Sequence, residues 1–320
     1  MLRRNFLIGA GATGAMAACS AGPPATLAEG SSRAVAAETL YPPLGAIIDV
    51  GAQKVHATDQ GSGRPVIMIH GASGNVRDFT FDLTGPLSQR YRTIAMDRPG
   101  FGYSTRADDP EAWRPAAQAA QLRAAAKSMG VEKPILVGHS WGASVALAWA
   151  LDAPDDVSGV VAVSGAMMPW GTLANVASSL GFNDLIVGYY NRSITRRAES
   201  GGIEDFVKRA FRPQSPPDGY IDYIGGPLAV REKTVAANGA DLANTQNALR
   251  ELSARYGELN VPLEVMHGDR DWLLGFDQHA LGVTEAAPNV HLTRLPGVGH
   301  MAHHARPDVL SEAIDRIAAA

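Results

Sequence analysis

The sequence predicts an α/β fold, a mostly parallel sheet flanked by helices with a helical cap inserted in it. Three observations carry that expectation. Short runs of consecutive apolar residues recur, as at 65–69, 134–137 and 159–163. A strand buried on both faces reads this way, because neither side of the pleat meets water. Helical stretches separate the runs, and strand–helix alternation is how parallel strands are joined by right-handed crossovers. The alternation then breaks off after residue 165 and resumes at 257, which marks an insertion.

In chain order, residues 46–49 and 54–58 read as a short antiparallel hairpin around Gly51 and Ala52. Strands follow at 65–69 and 92–96. Residues 113–129 are Ala-rich with few breakers and predict a helix. A strand at 134–137, a helix at 143–151 and a strand at 159–163 come next. Residues 166–256 hold helical pieces and Pro/Gly breaks, including a loop from Arg212 to Gly219. Strands return at 262–266 and 290–294, and a helix at 308–319 closes the chain. The predicted organisation is therefore an export signal and flexible tether at 1–40, a core at 41–165 and 257–320, and a cap at 166–256. No internal repeat is present.

Composition narrows the function classes. The chain has 320 residues, 46% hydrophobic and 19% charged, enough to bury a sizeable core. A formal net charge of -4 argues against nucleic acid as a partner. No 20-residue apolar run suggests a transmembrane span.

The first residues read as an export signal: Arg3 and Arg4, then a short apolar stretch from Phe6, then Gly and Ala to Ala18. The arginine pair resembles a twin-arginine signal, with Leu2 where that class prefers Ser or Thr. Cys19 is the only cysteine, so no disulfide can form within one chain. Met16-Ala17-Ala18-Cys19 resembles a lipoprotein processing box, with Met16 in place of the usual leucine. That resemblance implies lipidation of Cys19 and attachment to a membrane. The other reading leaves Cys19 inside a signal cut near Ala28 or Ala37. Either way the expected location is the periplasm or cell envelope, with residues 20–45 as a flexible tether rich in Ala, Pro, Ser and Gly.

The chemistry concentrates in a few loops. Gly138-His139-Ser140-Trp141-Gly142 fits Gly-x-Ser-x-Gly, with an apolar strand before it and an Ala-rich helix after it. That is the strand–turn–helix setting of a nucleophile elbow, where small neighbours permit a tight turn and the helix N-terminus favours negative charge. A serine needs a base, and the base an orienting acid. His300, in the Gly-rich loop after the last strand, is the expected base. His303 and His304 read instead as exposed residues opening the final helix. Asp269 and Asp271 both follow strand 262–266 and both qualify as the acid by position. The oxyanion needs backbone donors. Trp141, next after the serine, should supply one and Ala72, in the loop after strand 65–69, the other. His70 reads as a structural hydrogen-bonding residue, and the turn from Asp97 to Ser104 as architecture.

Together these motifs resemble the α/β-hydrolase superfamily over residues 45–165 and 257–320. They are His70-Gly71, Asp97-Arg98-Pro99-Gly100-x-Gly102-x-Ser104, the elbow, Gly268-x-x-Asp271 and Gly299-His300. The resemblance selects Asp271 as the acid, leaves Asp269 as a turn residue, and makes 166–256 a cap over the pocket. It implies a serine hydrolase of carboxylic esters working through an acyl-enzyme, with no metal or organic cofactor and a small-molecule substrate. Ser140 separates the chain from epoxide hydrolases and haloalkane dehalogenases, which carry Asp at the elbow. Proline iminopeptidases share Ser140-Trp141-Gly142, although Ala72-Ser73 departs from their oxyanion loop. Carbon–carbon bond hydrolases share the triad and the cap. A silent binding or accessory lipoprotein on the same scaffold is the non-enzyme alternative. In the cap, Met167, Met168, Pro169, Trp170, Phe182, Leu185, Ile186, Tyr189 and Tyr190 read either as the cap's own core or as the lining of a pocket for an apolar acyl or aromatic group.

Overall fold

The computed structural model describes residues 32–171 and 202–320. Eight strands form one sheet: β1 (Ala46–Val50), β2 (Gln53–Ala57), β3 (Pro65–Ile69), β4 (Arg92–Met96), β5 (Ile135–His139), β6 (Gly159–Val163), β7 (Leu263–Gly268) and β8 (Val290–Leu295). Their spatial order is β1-β2-β4-β3-β5-β6-β7-β8. β1 and β2 pair antiparallel, β2 meets β4 antiparallel, and all other pairings are parallel. The principal helices are α1 (Ser32–Leu40), α2 (Pro115–Ser128), α3 (Trp141–Asp152), α4 (Gly202–Phe211), α5 (Glu232–Ala243), α6 (Thr245–Ser253) and α7 (Pro307–Ala319).

The apolar runs fold as strands because both faces of the sheet are covered. Period-two geometry sends alternate side chains to opposite layers. Ile67, Ile69, Leu136, Val160 and Ala162 pack with Leu122 of α2 and Val145 and Trp149 of α3. Val66, Met68, Ile135, Val137 and Val161 pack on the other side with Leu310, Ile314 and Ile317 of α7. Each of these side chains is buried. Truncating one of the larger ones, such as Ile67, Leu136 or Leu310, to alanine removes about 2–5 kcal/mol of stability.

Between β6 and β7 the regular elements among the described residues are helices, with no strand, as the break in alternation predicts. Phe182, Leu185, Ile186, Tyr189 and Tyr190 lie outside the described residues, as do Cys19 and the signal. Among the described residues no helix is long and apolar enough to cross a membrane.

One expectation is corrected. Residues 32–45 do not behave as a tether. Ser32–Leu40 is helical, with Ala34 and Ala37 buried on one face. Glu38 pairs with the buried Arg231 of the cap at 2.7 Å, and Arg77 donates to Pro42 O at 2.8 Å. An Ala-rich composition had suggested flexibility, but alanine is the best helix former once a face can be buried.

Candidate active site

β5 lies near the middle of the sheet, where Gly138 pairs with Ile69 on one side and Ala162 on the other. The chain turns from β5 into α3 within one residue, Ser140, which takes φ 53° and ψ -118°. A non-glycine residue held there stores of order 1–3 kcal/mol of strain. The surroundings enforce it. Ser140 N–H donates to Val163 O at 3.0 Å, and Ser140 O accepts from Ala143 and Ala166 N–H at 3.1 and 3.0 Å. A Cβ on Gly138 would stand 2.4 Å from Gly142 O, and one on Gly142 2.0 Å from Ile69 O. Both positions therefore require glycine. The turn lifts Ser140 to the N-terminus of α3, at the C-terminal edge of the sheet, where α/β proteins bind ligands.

The loop after β3 touches this elbow. A Cβ on Gly71 would come 2.9 Å from Ser140 Cβ. Among the described residues neither Ala72 N–H nor Trp141 N–H makes a hydrogen bond, so both donors remain available. The loop itself is held firmly. Ser73, at φ 58°, donates its N–H to Asn238 Oδ1 of α5 at 3.0 Å. Arg98 donates to His70 O at 3.0 Å and Gly71 O at 3.1 Å, while its Nη1 lies 2.7 Å from Asp241 of α5. His70 is structural, as expected: Nδ1 donates to Gly71 O at 2.8 Å and Nε2 accepts from Arg98 N–H at 3.0 Å. Burial, with Arg98 adding to it, lowers its pKa to about 4.

Asp271 and His300 come together from the loops after β7 and β8. His300 Nδ1 lies 2.7 Å from Asp271 Oδ2. Asp271 Oδ1 accepts the N–H groups of Leu273 and Leu274 at 2.9 and 3.0 Å. Burial pushes the Asp271 carboxyl up, but His300 beside it and a hydrogen bond from His267 outweigh that and hold it well below the usual range. Asp269 turns away: its Oδ1 accepts Gly297 N–H at 2.8 Å and its Oδ2 faces Arg294. Of the two aspartates that qualify by position, Asp271 is the one that pairs with His300. The His300 ring stands 4.8 Å from that of His139, the residue before Ser140. Among the described residues Ser140 Oγ makes no hydrogen bond within 3.5 Å; such bonds are often long before substrate arrives.

A family model described as the alpha/beta hydrolase fold matches residues 64–307, most of the chain. The chain belongs to that family. This hydrolase is 28% identical over 287 residues to 2-(acetamidomethylene)succinate hydrolase of Mesorhizobium japonicum, covering 83% of this chain and 92% of that one. It is 24% identical over 261 residues to 2-hydroxy-6-oxo-6-phenylhexa-2,4-dienoate hydrolase of Burkholderia cepacia, covering 81% and 88%. Among solved structures, an esterase from Exiguobacterium antarcticum superposes with a TM-score of 0.67 at 20% identity, covering 86% and 99%.

Several residues of the hydrolase's site escape sequence reasoning. His267 Nε2 donates to Leu274 O at 2.7 Å and lies 3.3 Å from Asp271 Oδ2, so it braces the loop that carries Asp271. It follows a strand run and read as part of it. Asn238 and Asp241 sit on a cap helix more than 140 residues from their partners, and no local pattern announces such contacts. His303 and His304 are corrected: both imidazoles are buried, not exposed. Asp78 lies 3.3 Å from His303 and 3.0 Å from His304, and Asp82 lies 2.9 Å from His304. These carboxylates offset the desolvation that would otherwise keep the rings in water.

Proposed function

We propose that the protein is a serine hydrolase that cleaves carboxylic esters of small apolar or aromatic acids through an acyl-enzyme. The observation that supports this reading is the strained elbow at Ser140, whose preceding residue His139 stands ring to ring with His300 at 4.8 Å, His300 being paired in turn with Asp271 at 2.7 Å. In it, Ser140 Oγ attacks the ester carbonyl while His300 Nε2 takes its proton. The oxyanion of the tetrahedral intermediate accepts hydrogen bonds from Ala72 and Trp141 N–H. His300 then gives the proton to the departing alkoxide. Water, deprotonated by the same imidazole, attacks the acyl-enzyme and restores Ser140. Asp271, held by two backbone N–H groups, keeps the imidazole in the tautomer with Nδ1 protonated and stabilises the cation that forms.

Carbon–carbon bond hydrolysis is the second reading, favoured by the similarity to the phenylhexadienoate hydrolase over 81% of the chain. A panel separates the two: short- and long-chain p-nitrophenyl esters, proline amides and a dienone diketo-acid. Ester turnover exceeding the others is expected. Faster turnover of the diketo-acid or of the amides overturns the ester assignment. Export is part of the same proposal, and blocking the twin-arginine pathway should strand the precursor; normal export of the chain would defeat it.

A further inference from the structure

A second group of titratable side chains lies beside His300 and takes no part in the triad. Asp78 is in the helical turn Arg77–Thr80, His139 ends β5, and His303 is in the turn Ala302–Ala305. All three are buried. Asp78 Oδ2 is 3.7 Å from His139 Nδ1, and Asp78 Oδ1 is 3.3 Å from His303 Nε2. One donor atom from each residue lies within 4.8 Å of the others. Two ligands on a tetrahedral zinc ion, each at about 2.0–2.1 Å from the metal, stand about 3.4 Å apart.

Hydrogen bonding shows what the cluster lacks. His139 Nε2 lies 3.2 Å from His300 O, and a carbonyl can only accept, so Nε2 carries the proton. His139 Nδ1 is then a bare lone pair, buried and without a hydrogen-bond partner. It faces Asp78 Oδ2, a second acceptor. Two acceptors confronting each other away from water repel unless a cation lies between them. A metal ion between the two atoms supplies that charge.

The surroundings suit that role. Metal-bound imidazoles characteristically donate their other N–H to a carbonyl or carboxylate, as His139 does to His300 O. Asp78 Oδ1 also accepts from Tyr220 OH at 2.7 Å. His304 bridges two carboxylates, Asp78 at 3.0 Å and Asp82 at 2.9 Å, so both its nitrogens carry protons. Two carboxylates against one imidazolium leave the pocket net negative.

We propose that Asp78, His139 and His303 form a binding site for a divalent transition metal, best matched by Zn²⁺ with water completing the shell. The proposal stands apart from the hydrolytic reading, because Ser140 chemistry routes nothing through the ion. Its consequence for the site is positional: the ion orients His139, and His139 holds the backbone of His300.

The test uses the purified full chain without a histidine tag, stripped with chelator and titrated with Zn²⁺ against a chromophoric competitor. About one Zn²⁺ per chain is expected, with a raised Tm. Affinity should fall at least about tenfold in Asp78→Asn and His303→Ala, and stay unchanged in His291→Ala, a control at an exposed histidine. Failure of the stripped chain to bind Zn²⁺, or equal binding by His303→Ala, overturns the proposal. Should the variants not fold, Co²⁺ in the wild-type chain decides. Intense visible bands of a four-coordinate nitrogen/oxygen site support the proposal, whereas the weak bands of six-coordinate cobalt, or none, refute it.

Discussion

Asp97 and Asp271 stand in similar places. Each lies just past the end of a parallel strand, β4 or β7, and each holds a buried histidine: His56 Nδ1 at 2.6 Å from Asp97, His300 Nδ1 at 2.7 Å from Asp271. Each aspartate also accepts two backbone N–H groups, Val76 and Tyr103 for Asp97, Leu273 and Leu274 for Asp271. The difference lies at the far end of the imidazole. His56 Nε2 accepts Gly45 N–H at 3.3 Å, so both its nitrogens are used. His300 Nε2 makes no hydrogen bond among the described residues and sits beside the elbow. A buried His–Asp pair is therefore not a catalytic signature by itself. In the reading proposed above, the open nitrogen beside the elbow is what would turn the same construction from a fastener into a base.

Substitutions can break this comparison, and the largest effect falls on the nucleophile. Ser140→Ala should lower kcat/KM by about 10⁴-fold or more while Tm stays level or rises, since the elbow's strain is independent of the hydroxyl. Ester kinetics and thermal melts read both. Next comes the contrast between aspartates. Asp271→Asn should reduce kcat by about 10³–10⁴-fold, because the wrong imidazole tautomer is then favoured, and should lower stability as well, because a depressed carboxylate is lost. Asp97→Asn should also destabilise, by about 3–5 kcal/mol in unfolding by denaturant, but with kcat of the folded fraction nearly intact. Equal kcat losses in the two variants would dissolve the distinction.

Acid titration sharpens the same point. Asp271 is depressed in the folded state relative to about 3.9 in the unfolded chain. A depressed carboxylate contributes stability that is full above the unfolded value and fades as pH falls towards the folded one. The stability gap between wild type and Asp271→Asn should therefore be constant above about pH 5 and shrink below about pH 4. A gap that widens on acidification would contradict the depressed carboxylate. The smallest effect belongs to Asn238, which holds Ser73 N–H next to Ala72, the oxyanion donor proposed above. Asn238→Ala should lower kcat about tenfold with KM little changed, and Asn238→Asp should restore part of it. A change in KM alone would place Asn238 in substrate binding instead.

Much of the core was legible because its physics is local. Val160 to Val163 could only be a strand buried on both faces, and Gly138 and Gly142 announced a turn too tight for a side chain. His300 followed from chain order and loop position, whereas position left Asp269 and Asp271 open and only the family resemblance chose Asp271. What stayed hidden depends on distant surfaces. Ala34 and Ala37 look like linker residues until a cap surface is available to cover them. His303 and His304 look solvent-facing until Asp78, more than 220 residues away, is placed beneath them. Asn238 carries no sign that its acceptor meets Ser73. Periodicity reports which face is buried, not what stands opposite it.

The central claim, that His300 activates Ser140, is tested most directly with a fluorophosphonate and intact-protein and peptide mass spectrometry. A single adduct on Ser140 is expected in the wild-type chain, absent in Ser140→Ala and formed far more slowly in His300→Ala. An adduct elsewhere, no adduct at all, or equal labelling rates in wild type and His300→Ala would contradict it.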